Sequence, residues 1–137
     1  MASISLTAIY SAPKEKVWEY LTGDALLGKW CMASDSFALE RGREFRFSGD
    51  RSKFWDGVFT NTVVDFQDGV FLSYRCLCER PELDSLVTWT LRDDHGRAAL
   101  SLKHSGFKPF KDCMFRIALR MGWKKMMEYN LRKELEG

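Results

Sequence analysis

The chain has little proline, little histidine and no long hydrophobic run. Its 137 residues include three prolines and two histidines. No apolar stretch approaches the roughly 20 residues that span a bilayer. The first ten residues offer neither a basic segment nor an apolar one, so no secretory signal is expected, and a cytoplasmic location is. Charge of one sign is also missing. Lys and Arg number 21 against 19 Asp and Glu, a formal net charge of +2, which gives no general drive toward nucleic acid. Cysteines are few and irregular: Cys31, Cys76, Cys78 and Cys113. Cys76 and Cys78 are two apart rather than a CxxC pair, so the four read as buried free thiols in a reducing compartment, with no metal site. There is no Gly-rich phosphate loop, repeat or low-complexity segment, and Asp93-Asp94 lies in a turn rather than forming an acid–base pair. No cofactor is expected.

What remains is a core-forming composition. Hydrophobic residues make up 45% and aromatics 14%, enough for a single domain over residues 1–137. Ile4, Leu6 and Ala8 alternate with Ser3, Ser5 and Thr7, the signature of a half-buried strand. Pro13 opens a helix with Val17, Trp18 and Leu21 on its apolar stripe. Thr22-Gly23-Asp24 ends that helix and caps a second short one. Residues 33–106 read as successive strands. Phe45 and Phe47 share one face. A longer strand follows around Val58, Val63 and Val64, then a primed hairpin turn at Asp68-Gly69. Leu72, Tyr74, Cys76 and Cys78 share the inner face of the next strand. Val87, Trp89 and Leu91 share that of the following one, and Ala98, Leu100, Leu102 and His104 that of the last. Short links make the sheet antiparallel.

From about Phe110 to Glu136 the chain reads as one helix, roughly 40 Å long. Met114, Ile117, Ala118 and Met121 lie at helical spacing and are expected on its inner face, continued by Trp123, Met127, Leu131 and Leu135. The fold class that follows is α+β: a curved antiparallel sheet of about six to seven strands around one long C-terminal helix, with two short helices after the first strand. The lining of the space between sheet and helix is expected to come from Phe45, Phe47, Tyr74, Cys76, Trp89, His104, Met114, Ile117 and Met121. His104 reads as a buried neutral imidazole or as a polar handle for a ligand. Trp18, Trp30 and Trp123 read as packing residues. Two surface features stand out: the 51–55 loop, with Phe54 and Trp55 beside Arg51 and Lys53, and the cations Lys108, Lys111, Arg116, Arg120, Lys124 and Lys125.

Several segments in order are similar to one family. They are Ala12-Pro13 with Val17-Trp18, Glu44-Phe45-Arg46-Phe47, Trp55-Asp56-Gly57-Val58, Val87-Thr88-Trp89-Thr90-Leu91, Leu100 through Phe107, and Gly122-Trp123. Together they resemble bacterial homologues of the activator of the Hsp90 ATPase, in the START-like (SRPBCC) helix-grip superfamily. Cys76 departs from the aromatic often found there. The resemblance implies an internal cavity for a hydrophobic or amphipathic small molecule and no universal catalytic residues. It implies two other functions as alternatives: a co-chaperone or protein-interaction domain with a chaperone as partner, or a cyclase or hydrolase using the same cavity. A monomer and a homodimer are both compatible with it. Neither nucleic-acid binding nor membrane insertion is expected.

Overall fold

A computed structural model describes residues 2–137. Their order is β1 (Ala2–Tyr10), α1 (Lys14–Leu21), α2 (Asp24–Trp30), β2 (Ala33–Asp35), β3 (Glu44–Ser48), β4 (Val58–Gln67), β5 (Phe71–Cys78), β6 (Leu83–Asp94) and β7 (Arg97–Phe107). The C-terminal helix follows as α3 (Cys113–Lys125), a π-helical segment (Met126–Leu131) and α4 (Arg132–Glu136). The strands form one curved antiparallel sheet in the order β1-β7-β6-β5-β4-β3-β2. It is the helix-grip arrangement.

Alternation decides which side chains enter the core. Phe45 and Phe47, then Phe59, Asn61 and Val63, then Leu72, Tyr74, Cys76 and Cys78 are all buried on the side facing the helix. Val87, Trp89 and Leu91 on β6 and Leu100, Leu102 and His104 on β7 complete that face. Each large apolar side chain so buried contributes about 1.5–3 kcal/mol. Val64 follows the inward Val63 and so faces outward, and the register of β4 against β5 shifts between Val63 and Asp65. Gly106 has φ +105°, and a Cβ there would stand 2.9 Å from the Asp84 carbonyl oxygen. Only glycine lets β7 pass β6 so closely.

Asp24 does not cap α2 as its sequence suggests. It is the first residue of that helix. Its carboxylate accepts hydrogen bonds from Ser34 Oγ (2.7 Å) and the Phe37 N–H (3.0 Å), tying β2 to α2.

The long helix presents a different face from the one its spacing suggests. Met114, Ile117 and Met121 are 81%, 47% and 69% exposed; Ala118 is exposed too, yet it edges the space between helix and sheet. The row turned toward the sheet is Phe115, Leu119, Trp123, Met127, Leu131 and Leu135, at steps of four. In an α-helix four residues overshoot a turn by about 40°, so such a row drifts around the axis. The π segment takes more residues per turn and brings Leu131 and Leu135 back over the core. Tyr10 donates its hydroxyl proton to the Met127 carbonyl (2.7 Å), and Asn130 Nδ2 donates to the Trp30 carbonyl (3.2 Å), which fix that segment on β1 and α2.

Candidate functional site

Between the sheet and the middle of the helix lies a cavity of about 70 Å³. Phe47, Phe59, Tyr74, Cys76 and His104 wall it from the sheet, Leu119, Gly122, Trp123 and Met126 from the helix, and Met32 from the loop after α2. Of the nine side chains expected there, Phe47, Tyr74, Cys76 and His104 form the wall. Phe45 and Trp89 stand one layer behind it. The Phe45 ring meets those of Phe37, Phe47 and Tyr74 edge-on, and Trp89 lies edge-on to Trp30 and Trp123. Met114, Ile117 and Met121 do not reach the cavity. Their row was one of two apolar rows on the same helix, and the other one packs.

The polar groups of the wall form a directed chain. Trp123 Nε1–H donates to His104 Nδ1 at 3.0 Å. Nδ1 therefore carries no proton, and the neutral ring has its proton on Nε2. Nε2 then donates to Ser85 Oγ (2.8 Å), whose own proton goes to the Cys76 carbonyl (2.8 Å). Every member is satisfied. Burial lowers the His104 pKa from its ordinary 6.5 to about 3. A second proton would have to sit on Nδ1, against the Trp123 N–H. His104 is thus a joint between helix and sheet.

The other titratable groups are also held neutral. Burial pushes the Cys76 thiol up to about 12 and the Cys78 thiol up to about 11, and it raises Cys31 and Tyr74 well above their ordinary values. A thiolate is needed for cysteine nucleophilicity, so these thiols are inert at neutral pH. Among the described residues, no group of three His, Cys, Asp or Glu is placed to hold a metal ion.

Two polar groups on the inner face of the sheet keep unused capacity. The Tyr74 hydroxyl accepts from Trp89 Nε1–H at 3.1 Å and donates to no acceptor among the described residues. Asn61, fully buried, has neither Oδ1 nor Nδ2 paired among them. It sits on β4 between Phe45 and Cys76 in register, and between Phe59 and Val63 along its own strand. Two of these four neighbours, Phe59 and Cys76, belong to the cavity wall. Asn61 is not among the lining residues expected from the sequence, although its place in the inward series Phe59, Asn61, Val63 marks it.

A larger recess of about 860 Å³ opens elsewhere, at the rim and outer face of the sheet. Arg46, Arg51 and Lys108 share it with Asp56, Glu79 and Asp84. Such mixed, solvated charge suits water better than an apolar ligand. The inner cavity is the apolar one.

This architecture has solved counterparts. Protein MLL2253 from Mesorhizobium loti is 29% identical, with 98% of this chain and 97% of that one covered and a TM-score of 0.89. The Aha1 dimer from Colwellia psychrerythraea is 18% identical, with 99% and 97% covered and a TM-score of 0.77. DynU16, a protein of the dynemicin biosynthetic locus, is 21% identical, with 98% of this chain and 47% of that one covered and a TM-score of 0.79. No curated protein matches the sequence significantly. The model of one family, described as "Activator of Hsp90 ATPase homolog 1-like protein", matches residues 11–136, nearly the whole domain. With a sheet gripping its long helix over a small apolar cavity, the chain belongs to that family.

Proposed function

We propose that the protein is a non-catalytic binding module that holds an uncharged, hydrophobic or amphipathic small molecule between sheet and helix. The observation that carries this reading is the cavity wall: it is apolar, and its titratable groups are all kept neutral by burial. Such a wall rejects ions. It also lacks the poised acid, base or nucleophile that a cyclase or hydrolase needs. Two polar contacts orient the guest. Tyr74 offers a hydroxyl proton to a carbonyl or ether oxygen, and Asn61 offers both a donor and an acceptor to a group that reaches behind the Phe47 and Phe59 rings.

A drug-sized molecule needs about 300–1,000 Å³, so the cavity of about 70 Å³ is a closed form. It has pliable walls. Met32 and Met126 change shape at low cost, and Leu119 rides on a half of the helix that few interactions fasten. Binding therefore opens the site by moving these three side chains.

Native mass spectrometry of the freshly purified protein, beside a denatured control, gives the direct test. A mass excess lost on denaturation is expected, and titration with neutral apolar compounds should reproduce it. Leu119→Trp fills the cavity and should abolish binding. Met121→Trp, on the outer face, should leave it intact. Binding that survives Leu119→Trp unchanged would place the ligand elsewhere.

A further inference from the structure

The helix that covers the cavity has an outer face of its own. Met114, Ile117 and Met121 line it at spacings of three and four, which places them on one side of α3. Phe110, in the turn before the helix, is 97% exposed. These four large apolar side chains form a convex ridge on one short segment. Singly exposed apolar residues are ordinary on a surface, whereas a contiguous set of this kind marks a contact.

The segment that carries the ridge is rich in cations. Between Lys108 and Lys125 the chain carries six cations and one carboxylate, Asp112. Asp112 is buried and accepts from the Lys108 N–H (2.7 Å), so it does not answer them at the surface. Lys111 has a loose, exposed pairing with Glu82 at 3.7 Å. Outside this segment the remaining 15 Lys and Arg face 18 Asp and Glu of the chain's 21 and 19. A chain of formal charge +2 thus carries its positive excess in this segment: Arg120, Lys124 and Lys125 are exposed on α3 itself, while Lys108 and Lys111 reach the recess that also holds Glu79, Glu82 and Asp84.

We propose that this face adsorbs to an anionic lipid bilayer. The ridge is convex and built of Phe, Met and Ile tips, a shape that sinks into a soft apolar layer. Four of its six cations are lysines, whose stems let the ammonium groups rise to the headgroups while the apolar ridge goes deeper. No helix of the described residues is long and apolar enough to cross a membrane. The contact is therefore interfacial, with α3 lying in the surface plane. The 51–55 loop lies at the same end. Its Trp55 ring stands 5.0 Å from that of Phe59, which stacks on Phe115 in the first turn of α3 at 6.4 Å. Phe54, exposed beside Lys53, extends the same chemistry.

Co-sedimentation of the full chain with phosphatidylcholine vesicles, with and without phosphatidylserine, tests this directly. Binding is expected only with phosphatidylserine, and high salt should release it. Each lysine near such a surface is worth about fivefold in partitioning, so Lys124→Gln with Lys125→Gln should weaken binding about 25-fold. Met114→Ser with Met121→Ser should cost at least about tenfold. All four positions are exposed, and an unchanged thermal midpoint confirms that the variants fold. Arg92→Gln near the end of β6 with Arg97→Gln at the start of β7, both far from the ridge in the fold, should leave binding intact apart from the small loss any lowered net charge brings. The proposal is overturned by no vesicle binding, or by equal losses in the near and far charge variants. Dimerisation through the ridge, lost in the methionine variant, would overturn it too, as would an acidic protein such as a chaperone that binds the ridge while vesicles do not.

Discussion

The two halves of the C-terminal helix are held in different ways. The later half is stitched down: Met127, Leu131 and Leu135 are buried, Tyr10 and Asn130 fasten the π segment, and Arg132 donates to the Ile9 carbonyl (2.9 Å). The earlier half rests on Phe115 and Leu119, both only half-buried, and on the single Trp123–His104 hydrogen bond at its end. The cavity lies under this earlier half. On the function proposed above, the earlier half is the lid and the later half its hinge, both in one continuous helix. A helix need not be broken to be locally loose, provided its side-chain anchors are gathered at one end.

The largest expected effect breaks the firm half. Leu131→Ala should cost about 2–5 kcal/mol, and Leu119→Ala only about 1, because Leu119 already borders a void. Urea unfolding of both variants checks the ratio, and equal losses would erase the distinction. The joint between the halves should be acid-sensitive. Folded His104 takes up a proton only near pH 3, whereas the unfolded chain does so near 6.5. The unfolded state thus binds more protons between those values. Stability should be full above pH 6.5 and fall by about 1.4 kcal/mol per pH unit below it. The slope that His104→Leu removes, read from urea midpoints against pH, measures this contribution.

Smaller changes sharpen the comparison. Asn61→Leu removes an unpaired buried amide under the loose half and should raise stability by about 1–2 kcal/mol while weakening ligand retention. A loss of stability would mean the amide is satisfied in solution. Tyr10→Phe removes one stitch from the firm half and should cost about 1 kcal/mol. Hydrogen exchange of the wild-type chain should show amides 115–121 opening well before amides 129–135.

Strand faces were legible because a period of two leaves only two choices, and one buried residue settles the rest. Tyr74, Cys76, Trp89 and His104 all fall on the side their alternation indicates. The long helix was legible as an element but not in its rotation. Met114, Ile117 and Met121 make as good an apolar row as Phe115, Leu119 and Trp123. The choice between them depends on His104, ten or more residues away, and on a π turn that no local pattern announces. Asn61 was visible as an inward position. Its unpaired state was not, because a hydrogen-bond partner is a matter of tertiary geometry.

The pairing of β1 with β7 carries a consequence for how the chain is made. Thr7 and Ser101 meet across that pair although they are 94 positions apart in the chain. At about 5–20 residues per second, β1 waits roughly 5–20 s on the ribosome for its neighbour. During that wait it is a strand without a sheet. Its Ser3, Ser5 and Thr7 leave one of its faces polar, a sequence that discourages wrong partners while the right one is still being synthesised.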